Sequence, residues 1–150
     1  MKRRTVLKGL SLAGALQGVT AEIMFGSEFG PTSGAADAPE PVYELRVYTA
    51  TEGKLPELLK RFREHTTKLF ERHGIKNVAY WTATDEPKKA NTLVYILKYA
   101  SRDAATASWK AFQDDPEWQQ VRTKSEENGK LVEKVESTFM ALTDFSSKVG

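Results

Sequence analysis

The sequence predicts an α+β domain with four strands and two helical regions in the order β-α-β-β-α-β. Three observations carry this. Apolar residues alternate with period two over Val42–Thr49. They recur at three- and four-residue steps from Leu55 to His73. Two further strand-like segments, Ile75–Asp85 and Leu93–Tyr99, are separated by a short polar turn.

In the first strand Tyr43, Leu45 and Val47 fall on one side, and Glu44, Arg46 and Tyr48 on the other. Gly53 punctuates the following turn. Leu55, Leu58, Leu59, Phe62, Thr66, Leu69, Phe70 and His73 then trace the apolar stripe of a helix of about five turns. Pro56 suits its first turn, where the missing N–H costs nothing, and Gly74 suits the position just past its end. In the second strand Val78, Tyr80 and Thr82 alternate with Ala79, Trp81 and Ala83. The turn Glu86-Pro87-Lys88-Lys89 joins it to the third, so the two should form an antiparallel hairpin.

Ser101 is placed to cap a second helix with Ala105, Trp109 and Phe112 on its buried face. Asp115-Pro116-Glu117 starts another helical segment: a cap, a proline at the first position, and an acid at the positive end of the helix dipole. The polar run Arg122–Lys134 reads as a solvated helix face and loop. Glu133–Asp144 closes the domain as a strand, with Val135, Phe139 and Ala141 on one side.

This order is the ferredoxin-like pattern, an antiparallel sheet with helices on one face. Helices cover only one face of four strands. The other face is expected to present Glu44, Arg46 and Tyr48 together with Trp81. That much apolar and aromatic area calls for a partner, and a second copy of the chain would bury it as an α+β barrel.

Residues 1–38 differ from the rest. Lys2, Arg3 and Arg4 precede a short, modestly apolar stretch, Val6–Val19, which is too short to span a bilayer permanently. Arg3-Arg4-Thr5-Val6-Leu7-Lys8 resembles the twin-arginine export motif. Gly26–Pro41 suits a linker and cleavage zone, with Ala36-Asp37-Ala38 as an A-x-A site and cleavage after Ala36 as the alternative. The expectation is a signal peptide and linker over 1–38, a domain over 42–145, a bacterial periplasmic location, and membrane contact only during export.

The 150-residue chain is 40% hydrophobic and 28% charged, with a net charge of +2. That fits one globular domain. Much of the positive excess is Lys2, Arg3, Arg4 and Lys8, so the domain itself is near neutral and no nucleic-acid partner is expected. The absence of cysteine removes disulfides, thiolate metal sites and a cysteine nucleophile. Walker-type and dinucleotide-binding glycine loops, H-E-x-x-H and G-x-S-x-G are all absent. No metal site is expected and no cofactor is required.

Tyr43-Glu44-Leu45-Arg46-Val47-Tyr48 resembles the opening strand of NIPSNAP-domain proteins. The resemblance continues through Gly53-Lys54-Leu55, Phe62-Arg63-Glu64-His65, His73-Gly74, Tyr80-Trp81-Thr82 and Asp115-Pro116-Glu117-Trp118, and covers about 42–145. It implies the dimeric α+β-barrel superfamily. Relatives there include cofactor-independent monooxygenases and haem-binding or haem-degrading proteins, so these activities, and haem itself, enter as alternatives. The main expectation is a homodimer that binds a small apolar molecule, with no catalytic residue assigned.

Candidate ligand-binding residues are His65, His73, Tyr80 and Trp109. His73 lies on the core face of the first helix and His65 at the edge of that face. Each has a structural reading too, as a capping or packing histidine. They are separated by about 12 Å along the helix, which prevents them from sharing one metal ion. The expected pocket lies between helices and sheet, walled by Leu58, Phe62 and Trp109. Glu44, Arg46, Tyr48 and Trp81 are the candidate interface residues, with Glu44 and Arg46 as an interface ion pair.

Overall fold

The computed structural model describes residues 40–149. The arginine pair, the apolar stretch and the Ala36-Asp37-Ala38 site lie outside the described residues. Contacts divide the chain into Met1–Gly34 and Ala35–Gly150, and the second unit holds every element below.

Strand β1 spans Val42–Ala50 and leads through Gly53, whose φ of 73° suits glycine, into a helical rod. The rod is α1 (Leu55–Arg61), one wide π turn (Phe62–Thr66) and α2 (Thr67–Arg72). Within the wide turn the Thr66 and Thr67 hydroxyls donate to the carbonyls of Arg61 and Phe62. Gly74, at φ 75°, ends the rod as the sequence indicated. Strands β2 (Lys76–Thr82) and β3 (Thr92–Tyr99) form an antiparallel hairpin. Helix α3 spans Arg102–Asp114 and is capped by Ser101 Oγ, which accepts from the Ala104 N–H at 3.1 Å. Helix α4 spans Pro116–Ser125, with Asp115 Oδ1 accepting from the Glu117 N–H at 2.7 Å. Strand β4 (Val132–Met140) completes an all-antiparallel sheet of order β2-β3-β1-β4. This is the ferredoxin-like topology expected.

The core lies between sheet and helices. Leu58, Phe62, Leu69 and Phe70 of the rod meet Tyr95 and Leu97 of β3 and Phe112 of α3. The rings meet mostly edge to face, as in the Phe62–Tyr95 and Phe70–Phe112 pairs, at 5.2 and 4.8 Å.

One expectation is overturned. Glu44, Arg46 and Tyr48 point toward the helices, not away from them. The Trp109 indole of α3 donates to Glu44, the Arg46 guanidinium lies over that indole, and Tyr48 packs on Phe62. By alternation, Leu45 and Val47 take the uncovered face. Their register partners there are Ile96 and Val94 of β3, followed by Ala79 and Trp81 of β2. Of the four candidate interface residues, only Trp81 is on that face, half exposed. At one end of it the C-terminal segment folds back, and the Val149 carbonyl accepts from the Tyr43 hydroxyl at 3.1 Å. Among the described residues no helix is long and apolar enough to cross a membrane.

Candidate functional site

Putting a carboxylate under helices costs several kcal/mol unless donors replace its water. Glu44 is 1% exposed and has four. Oε1 accepts from Arg46 Nη1 at 2.5 Å and Ser137 Oγ at 2.6 Å. Oε2 accepts from Tyr99 Oη at 2.7 Å and Trp109 Nε1 at 2.8 Å. The donors come from β1, β4, β3 and α3, so one side chain ties four elements together. Burial pushes the Glu44 carboxyl up. The Ser137 and Tyr99 hydroxyls, the Arg46 charge and the Trp109 N–H outweigh it and hold the group below its ordinary value of 4.5. With both oxygens doubly engaged, Glu44 is a fixed anion and not a proton acceptor.

Glu44 in turn aims Arg46. The guanidinium is 4.2 Å from the Trp109 ring centroid, and its Nη2 donates to the Tyr48 hydroxyl at 3.3 Å. Burial disfavours the charge, but the Tyr48 and Tyr95 phenols and Glu44 more than offset that, so Arg46 stays cationic. Beside it opens a cleft of about 820 Å³. Arg46 and Tyr48 lie at its β1 side, Val132 and Val135 at β4, and Trp109, Phe112 and Trp118 form the helical wall. These three rings pack in a row, Phe112 meeting Trp109 edge to face at 5.7 Å and tilted 33° against Trp118 at 4.5 Å.

At the far end of the row a second guanidinium, Arg61, lies 5.3 Å from the Trp118 ring centroid. Arg61 is 6% exposed and donates to Ser125 Oγ at 3.2 Å and Glu126 Oε1 at 3.0 Å, joining α1 to the end of α4. The Nε atoms of Arg46 and Arg61 are buried without a hydrogen-bond partner among the described residues.

Of the four residues expected to bind a ligand, the structure brings one, Trp109, to this cleft. Tyr80 is in the core, stacked on Tyr95 at 5.2 Å with its hydroxyl bonded to Asn77. Burial, then the charge of Glu71, pushes its phenol up. His73 closes the rod onto α4, its Nε2 2.7 Å from Asp115 Oδ2, the same carboxylate that caps α4. That bond, followed by the Glu117 N–H, holds Asp115 below its ordinary range. His65 is exposed and lines a separate, largely charged cleft of about 620 Å³ between α1 and α4, with Lys60, Glu64 and Lys124. Leu58 and Phe62, expected as pocket walls, are core residues. The cleft residues missed from sequence are Arg61, Phe112 as a wall, Arg122 and Glu126. The spacing of Trp109, Phe112 and Trp118, three and six positions apart, was the available signal, and it reads equally well as a core face. Among the described residues, no group of three or more His, Asp or Glu side chains is arranged to hold a metal ion.

The fold and its cleft define an α+β ferredoxin-like domain whose buried polar network lies beside a helix–sheet cleft. The NIPSNAP family model matches residues 43–147, and the chain belongs to that family. Among solved structures it is similar to a NIPSNAP family protein with unknown function from Agrobacterium tumefaciens. The two share 24% identity over 72% of this chain and 93% of the other, at a TM-score of 0.61. An uncharacterized NIPSNAP-like domain protein from Burkholderia xenovorans superposes at a TM-score of 0.64, with 16% identity over 75% and 93% of the two chains. The fold is also similar to that of dimeric α+β-barrel proteins. A monooxygenase from the gene ActVA-Orf6 of Streptomyces coelicolor, in complex with the ligand nanaomycin D, shares 14% identity over 75% and 96%, at a TM-score of 0.52. Comparison with curated proteins gave no significant match.

Proposed function

We propose that this chain is an exported small-molecule-binding protein that works as a homodimer, its ligand held in the cleft between α3, α4 and the sheet. One observation carries the binding reading. The Trp109–Phe112–Trp118 row walls a cleft of about 820 Å³, a size suited to a small organic ligand, with Arg46 fixed beside it by a fully bonded Glu44. Such a buried, satisfied carboxylate holds a cation in position at considerable desolvation cost, which a purely structural role does not require.

The homodimer reading is supported by the open sheet face. Leu45, Val47, Val94, Ile96 and Trp81 form an apolar surface of the kind a second copy would cover. Export rests on the N-terminal sequence. Changing both Arg3 and Arg4 to Lys should retain the full-length chain in the cytoplasm, and unchanged export would count against a twin-arginine signal.

The enzyme alternatives rest on fold alone. Glu44, the buried carboxylate beside the cleft, has no free acceptor position for a monooxygenase-like proton transfer. Haem does not fit either cleft: no histidine lines the aromatic one, and the cleft beside His65 is walled mainly by charged side chains. The binding reading is tested by purifying the protein natively and identifying co-purifying small molecules by mass spectrometry, for the native chain and for Trp118→Leu. A molecule retained by the first and reduced in the second is expected. Equal retention by both would place the ligand elsewhere.

A further inference from the structure

Resting on that binding reading, we infer that the ligand is a planar, conjugated carboxylate, its flat body against the aromatic wall of Trp109, Phe112 and Trp118 and its anionic end toward the α4 wall. The row of rings has a guanidinium at each end, Arg46 on Trp109 and Arg61 on Trp118. A ligand matching it is flat where the indoles are and negative at an end.

The charges around the cleft decide the sign. Arg46 is matched by Glu44 at 2.5 Å. Asp114, a cleft residue, is matched by Lys110, also at 2.5 Å. Lys130 and Glu133 both line the cleft and offset each other in number. Glu126, however, is shared by two cations: Arg61 at 3.0 Å and Arg122 at 3.7 Å. Two guanidiniums on one carboxylate leave a surplus positive charge on the α4 wall. Arg61 is buried, so water screens its charge weakly. Its Nη1 is shared between Ser125 and Glu126, so it has no carboxylate to itself. A neutral apolar ligand would leave that surplus uncompensated, whereas a carboxylate neutralises it.

The class also explains Glu44. Without it, Arg46 would compete for the ligand's anionic group as a mobile side chain. With Nη1 held by Glu44 and Nη2 by Tyr48, the guanidinium is fixed over the indole at 4.2 Å and costs a ligand no ordering of that side chain.

Calorimetric titration of the purified full chain with 2-naphthoate and its uncharged counterpart 2-naphthamide tests this. Naphthoate should bind at least about tenfold more tightly, the effect of one charge-assisted contact. Cyclohexanecarboxylate, anionic but not planar, should bind more weakly than naphthoate. Arg122→Gln, at an exposed side chain, should weaken naphthoate by about threefold and leave naphthamide unchanged. Equal binding of naphthoate and naphthamide would overturn the carboxylate assignment while leaving the cleft a ligand site. Equal binding of cyclohexanecarboxylate would overturn planarity, and an Arg122→Gln titration identical to the native one would remove the α4 surplus as the source of selectivity. Binding of none of the three probes would overturn the inference and the binding reading together.

Discussion

The two faces of the sheet divide chemistry in an unexpected way. The face under the helices carries a buried ion pair, Glu44 and Arg46, within a network of tyrosine, tryptophan and serine donors. The uncovered face carries the plain aliphatic residues Leu45, Val47, Val94 and Ile96. Beside an aliphatic core, stability alone does not call for an ion pair inside, since charges are ordinarily left in water. The arrangement makes sense if each face has its own occupant: a polar-ended small molecule beside the helices, and a second apolar sheet on the outside.

The comparison breaks most strongly at Glu44. Glu44→Ala would strand Arg46 and three further donors beneath α3, and should cost about 3–5 kcal/mol in urea denaturation, as for other broken buried pairs. A loss below 1 kcal/mol would mean that water enters the network freely. The same carboxylate sets an acid dependence. Its pKa is lowered in the folded state, so its stabilisation is complete above the ordinary value of 4.5 and lost as pH falls through the folded value. Glu44→Gln should therefore lose less stability than the native chain on acidification below about pH 4.5, measured by denaturation at successive pH values.

On the other face, Val47→Glu places a charge at the centre of the aliphatic patch. It should raise the dimer dissociation constant by at least about 100-fold in sedimentation while leaving naphthoate binding intact. If binding and assembly fell together, the two faces would not be independent. The histidines sharpen the comparison through smaller effects. His73→Ala removes the bond to Asp115 that joins the rod to α4, and should lower the melting temperature by a few degrees. His65→Ala, at an exposed site outside the aromatic cleft, should change neither melting temperature nor naphthoate affinity.

Element order was legible because its signals are local. Ser101, Asp115-Pro116-Glu117 and Gly74 each act on backbone within a few residues, and each does what its type requires. The direction of β1 was not legible. Alternation separates Tyr43, Leu45 and Val47 from Glu44, Arg46 and Tyr48, but it does not say which set is inside. The ordinary preference for exposed charge gives the wrong answer here, because Glu44's compensation is remote in sequence: Tyr99, Trp109 and Ser137 are brought to it only by the finished fold. The cleft was obscured for the same reason. Glu126 looks like part of a solvated helix face until Arg61, 65 positions earlier, bonds to it. The wide turn at Phe62–Thr66 leaves no mark on the three- and four-residue spacing around it.

Native mass spectrometry of the protein purified from the cells that make it reads the occupancy of both faces at once. The predicted mass is two chains plus a small molecule on each, with the added mass reduced in Trp118→Leu and the dimer lost in Val47→Glu. A bare single chain would contradict the account, and a dimer without added mass would refute its ligand-binding half.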